Sequence, residues 1–76
     1  MKLAKGSRVV TTFGEQIEED VIPAGSAGEI KEVEFDKMEG QMEYHVRLDN
    51  GRYLSYLDFQ LESEEIYNSP LAKALK

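Results

Sequence analysis

The chain has no cysteine, no tryptophan, only two prolines and a single histidine among its 76 residues. Without cysteine there is no disulfide staple, no thiolate metal site and no thiol nucleophile, and a reducing compartment is the natural setting. No apolar run approaches the roughly 18 to 20 residues that cross a bilayer. The early lysines Lys2 and Lys5 are not followed by the apolar stretch of a secretory signal. The expectation is a cytoplasmic protein with no membrane partner. Basic charge is also scarce: 9 Lys and Arg against 15 Asp and Glu, a formal net charge of -6. Nucleic-acid affinity comes mainly from cations that neutralise phosphates. Nucleic acid is therefore disfavoured as a partner and a basic protein surface favoured, although an acidic excess also serves plain solubility.

What is present is strand-like. A chain of this length holds one domain with a thin core. Ser7 to Phe13 is rich in β-branched residues and lies between Gly6 and Gly14, which reads as a first strand. Glu15 to Ile22 is acidic and lacks alternation, which reads as an exposed loop pinned by Val21 and Ile22. Pro23-Ala24-Gly25-Ser26 is a turn. A second strand runs from about Ala27 to Asp36. Ile30 and Val33 have opposite parity in it, and a β-bulge near Lys31-Glu32 returns both to one face. After a loop over Lys37 to Gln41, Met42, Tyr44, Val46 and Leu48 face inward while Glu43, His45 and Arg47 face outward.

Asp49-Asn50-Gly51 marks a tight hairpin. Two registers are compatible with it. A two-residue turn pairs Leu48 with Tyr53 and buries Tyr53 and Leu57. A three-residue loop pairs Leu48 with Arg52 and buries Leu54 and Tyr56. The second is favoured, because it buries Leu54 and leaves Tyr53 beside Arg47 outside. Leu57 to Gln60 reads as one helical turn and Leu61-Glu62 as a short closing strand. The domain is expected over 1-62, with a C-terminal tail over 63-76 in which Ser69-Pro70 starts a short helix. In that helix Leu71, Ala72, Ala74 and Leu75 form an apolar line.

The segments Gly6 to Val10, Ile22 to Val33, Tyr44 to Arg52 and Leu61-Glu62 together resemble the small SH3-like barrels, over roughly residues 6 to 62. The resemblance implies a mainly β, five-stranded SH3-like barrel. It extends loosely to the stromal SH3-like subunit of photosystem I, to nitrogenase-assembly proteins of the NifZ type, whose Gly-Ser-x-Gly turn Gly25 to Gly28 echoes, and to nitrile hydratase barrels. KOW-type ribosomal and transcription-factor barrels are similar but usually basic. Fold-level likeness of this kind does not fix a function.

The candidate chemistry is thin. His45, with Glu43 on the same face, supplies at most two ligands, too few for a metal site. The order of acids Glu15, Glu18, Glu19 and Asp20 does not match a calcium loop. The aromatic strand and tryptophan of a polyproline-binding groove are missing. Most of the seven aromatic rings are expected in the core, with Tyr53 and Tyr67 the best exposed candidates. No nucleophile, phosphate loop or paired carboxylate in an apolar pocket is evident. The expectation is no enzyme, no cofactor and no metal. Instead, an acidic accessory or regulatory subunit docks on a larger protein through Glu15, Glu18, Glu19, Asp20, Arg47 and Tyr53, with Leu71 to Leu75 as a further contact. Alternatives are a KOW-like nucleic-acid or ribosome-associated module whose basic members are Arg8, Lys31, Arg47 and Arg52, a phage-type acidic inhibitor of a DNA-binding protein, and a structural subunit of a redox or metalloenzyme complex. Monomer and homodimer are both compatible with the sequence.

Overall fold

Strand β1 (Arg8–Thr11) carries three consecutive buried residues, Val9, Val10 and Thr11. Successive strand residues point to opposite faces, so β1 is covered on both sides. The computed structural model describes residues 3–68. The expected helix start at Ser69-Pro70 and the apolar line from Leu71 to Leu75 lie outside the described residues. After β1 come β2 (Glu15–Ile17), β3 (Asp20–Ile22), β4 (Ala27–Asp36), β5 (Gln41–Leu48) and β6 (Tyr53–Leu57). A 3-10 turn (Asp58–Gln60), β7 (Leu61–Ser63) and a one-turn helix α1 (Glu64–Tyr67) follow.

The fold is mainly β, as expected. The main sheet has five antiparallel strands in the order β6-β5-β4-β1-β7, and β2 and β3 form a separate hairpin. Strands β6 and β7 are its two edges, so its ladders do not close into a ring. No described helix is long and apolar enough to cross a membrane.

The bulge lies where the parity of Ile30 and Val33 requires it. Ile30 pairs with Val46 and Glu32 with His45, which leaves Lys31 as the extra residue. Ile30 is fully buried and Val33 packs at the margin of the core. The core itself is Val9, Ile22, Ile30, Tyr44, Val46, Leu48, Tyr56 and Leu61. Burying each aliphatic side chain of this set contributes about 1.5–3 kcal/mol. Phe13 meets the Tyr56 ring edge-on, with centroids 6.2 Å apart.

The three-residue hairpin loop is the one adopted. The Leu48 N–H donates to the Arg52 carbonyl at 2.8 Å, the Gly51 N–H donates to the Leu48 carbonyl at 2.9 Å, and Gly51 has φ of +95°. That φ is open to glycine at no steric cost. Arg47 therefore pairs with Tyr53 and Tyr44 with Tyr56, so Tyr56 is buried and Tyr53 exposed.

Several expectations need correction or extension. Glu15 to Ile22 is a hairpin rather than a loop. Ile17 pairs with Asp20, Glu18 closes the turn with φ of 57°, and the Gln16 side-chain amide donates to the Glu18 carbonyl at 3.3 Å. Val21 does not pin this segment, because it pairs with Gln16 on the outer face and is exposed, while Ile22 alone enters the core. A helix forms already at Glu64–Tyr67, packed on β1 and β7. Its Tyr67, expected outside, is half-buried over Gly25, where an added Cβ would lie 2.8 Å from the Tyr67 hydroxyl oxygen. Finally, Phe35 and Phe59 are exposed rather than core.

Candidate functional site

The residues expected to form a docking face do not act as one group. Glu15 accepts a 2.8 Å hydrogen bond from the Tyr56 hydroxyl. Burial, reinforced by this carboxylate, raises the Tyr56 pKa above the ordinary tyrosine value and keeps the hydroxyl a donor. Asp20 pairs with Arg52 at 3.3 Å, and Arg52 also donates to the Ile17 carbonyl at 3.1 Å. Glu15 and Asp20 thus fasten the β2–β3 hairpin to the main sheet. Of the acids on this hairpin, Glu18 and Glu19 at its tip are exposed without a side-chain partner among the described residues. Arg47 and Tyr53 are neighbours across β5 and β6 on the outer face, both exposed.

The basic residues are largely neutralised within the fold. Arg8 makes a two-pronged contact to Asp49, at 2.9 and 2.6 Å, and also reaches Glu64 at 3.2 Å. The hydrogen bonds to Asp49 first, then Glu64, hold the guanidinium more firmly protonated than usual, and Arg8 in turn depresses the Asp49 pKa. Lys31 pairs with Glu29, and Lys5 with Glu32. Arg8, Lys31 and Arg47 do share one shallow hollow, but Glu29 and Asp49 line it too.

His45 gains a neighbour that the sequence did not bring to it. Its Nε2 lies 3.4 Å from Glu34 on β4 and 3.5 Å from Glu43 on its own strand. Its Nδ1 lies 2.9 Å from the Ser55 hydroxyl, and its ring stacks on Tyr53. Glu34 and Glu43 are direct cross-strand partners, an arrangement of like charges that costs stability. Among the described residues no such group is arranged to hold a metal ion.

The unexpected feature lies at the other end of the sheet. A groove of about 530 Å³ is lined by Leu3, Tyr44, Phe59, Leu61 and Ile66, with Asp58, Glu62 and Ser63. The 3-10 turn builds one wall. The Gln60 side chain accepts the Leu57 N–H at 2.8 Å and tightens this turn, which leaves Phe59 71% exposed. Helix α1 contributes Ile66, 42% exposed, to the lining. From Tyr44 the inward face of β5 runs on to Met42, which pairs with Phe35. Both are exposed, because β6 ends at the Glu43–Leu57 pair and no described strand covers the last part of the β4–β5 hairpin. Met38 caps its tip, also exposed.

Sequence reading missed these residues because alternation reports which face a side chain takes, not whether that face is covered. The available signal was strand length: two long strands beside short ones must overhang. Comparison with known proteins gives no second route to identity, since no family model, no curated protein and no solved structure matches this chain.

Proposed function

We propose that the chain is a non-enzymatic docking module, an acidic accessory or regulatory subunit of a larger protein assembly, on an SH3-like barrel scaffold. The observation that carries this reading is the groove flanked by Phe59 and Ile66. Rings and aliphatic side chains exposed around a concavity gain free energy when a partner covers them. The bulged β4, the Asn-Gly hairpin and the short closing strand after a 3-10 turn support the SH3-like scaffold. The binding face moves from the acidic hairpin to the groove, because Glu15 and Asp20 already have partners inside the fold. The KOW-like alternative requires several free cations, and of its four members Arg8, Lys31 and Arg52 are each bonded to a carboxylate, which leaves Arg47 alone without one among the described residues.

The test is a capture experiment from source-cell lysate, run in parallel with wild type and a Phe59→Ser, Ile66→Ser double variant. Both side chains are exposed, so the variant keeps the wild-type melting temperature. A protein retained by wild type and lost by the variant is the expected result. Equal retention by both means the groove is not the binding face.

A further inference from the structure

We propose that the groove takes a basic, apolar segment of a partner protein, with its aliphatic side chains against Phe59, Ile66 and Leu3 and its Lys or Arg residues against Asp58 and Glu62. This rests on the docking reading above and names the chemistry of the occupant.

Acidic charge is left over at the groove. Asp20, Glu29, Glu32, Asp49 and Glu64 each have a cationic partner, and Glu15 has the Tyr56 hydroxyl. Asp58 and Glu62, which line the groove, have neither an ion pair nor a side-chain hydrogen bond among the described residues, and the same holds for Glu65 beside Ile66. Among the described residues no basic side chain lines the groove. An apolar floor under an uncompensated acidic rim attracts a segment that is apolar and cationic together. It repels phosphates and anionic lipid surfaces. A second copy of this chain is disfavoured on the same ground, because a two-fold interface through the groove sets each acidic rim against itself. The groove floor also offers a polar handle, since the Tyr44 hydroxyl has no hydrogen-bond partner among the described residues.

The test uses the full chain and three fluorescent peptides of one leucine-rich pattern, carrying lysine, glutamine or glutamate at the same positions, read by anisotropy. The lysine peptide should bind at least about tenfold tighter than its glutamine twin at low salt, with that advantage shrinking as added salt screens the rim. An Asp58→Lys, Glu62→Lys variant should remove the advantage but keep the glutamine peptide's affinity. Phe59→Ser should weaken both peptides. A Glu18→Lys, Glu19→Lys variant, which makes the same net charge change at the hairpin tip, should leave lysine-peptide affinity within about twofold.

Equal binding of lysine and glutamine peptides overturns the charge assignment while leaving the docking reading intact. No peptide binding at all, with a lysate partner still captured through Phe59, does the same. If Phe59→Ser and wild type capture the same proteins and bind no peptide, both readings fall. A loss on Glu18→Lys, Glu19→Lys equal to that on the rim variant reduces the effect to net charge and overturns the site. Self-association that Phe59→Ser abolishes identifies a second copy as the occupant and overturns the proposal. So does lysine-peptide binding that appears only after removal of residues 69-76, which carry Leu71, Leu75 and Lys73.

Discussion

At the scale of single residues, Gly28 shows how closely the central strands approach. It is buried in β4 opposite Leu48, and a Cβ built on it would lie 2.6 Å from the Arg47 carbonyl oxygen and 2.9 Å from the Leu48 Cα. Those are backbone atoms of β5, which cannot swing aside as a side-chain tip can. Gly28→Ala must therefore push β4 and β5 apart at their most buried pairs, and overpacking of this kind costs about 1–3 kcal/mol. The expected outcome is a lower urea midpoint at unchanged slope. A midpoint equal to wild type would mean the two strands have slack there. Thr11 shows the opposite case of a buried polar group made useful. Its hydroxyl donates to the Pro23 carbonyl at 3.3 Å and accepts the Ser26 N–H at 3.2 Å. Its own N–H and carbonyl bond to Ser26 and Gly25, so one residue of β1 holds the turn that leads into β4.

At the scale of elements, the β2–β3 hairpin turns on a residue poorly suited to it. Glu18 has φ of 57°, a left-handed conformation that costs a non-glycine residue about 1–2 kcal/mol. Glycine removes that strain but loses more entropy on folding, about 0.5–1 kcal/mol. Glu18→Gly should therefore leave stability equal or raise it by up to about 1.5 kcal/mol, and Glu18→Val should lower it. Thermal midpoints in the reverse order would show that the turn is not strained. This hairpin was illegible in the sequence because its pairing puts Val21 outside and Glu15 inside, against hydropathy. The glutamate is held there by a tyrosine hydroxyl some forty positions away, which no local window contains. The β4 bulge and the three-residue loop at Asn50-Gly51 were legible because each has a local cause: a parity clash between Ile30 and Val33, and glycine's access to positive φ. The groove was not, since its lining comes from the chain start, β5, the 3-10 turn and α1. Phe59 and Ile66 became neighbours of one hollow only through the docking of α1 on β1 and β7.

At the scale of the whole molecule, the charges divide between internal fastening and an outward rim. Arg8 joins three elements: β1, which bears it, the β5–β6 loop through Asp49, and α1 through Glu64. The wall that carries Ile66 is thereby tied to the central strand. The sign of the pH dependence follows from Asp49. Its folded pKa is depressed below the ordinary carboxylate value, chiefly by the hydrogen bond from Arg8. The folded state therefore binds its proton less tightly than the unfolded chain does. The resulting stabilisation is fully present above the ordinary carboxylate pKa and disappears as pH falls through the lower, folded value. Arg8 stays protonated throughout, so Asp49 sets the acid limb of this contact. Because Asp49 is exposed, the contribution is modest and salt-sensitive. Asp49→Asn should melt slightly below wild type at neutral pH, and the two curves should converge over the acid range below the ordinary carboxylate pKa. Parallel curves across that range would show that the Arg8–Asp49 contact does not couple to folding. Convergence with a simultaneous loss of peptide binding at neutral pH would show that this contact also positions the groove wall.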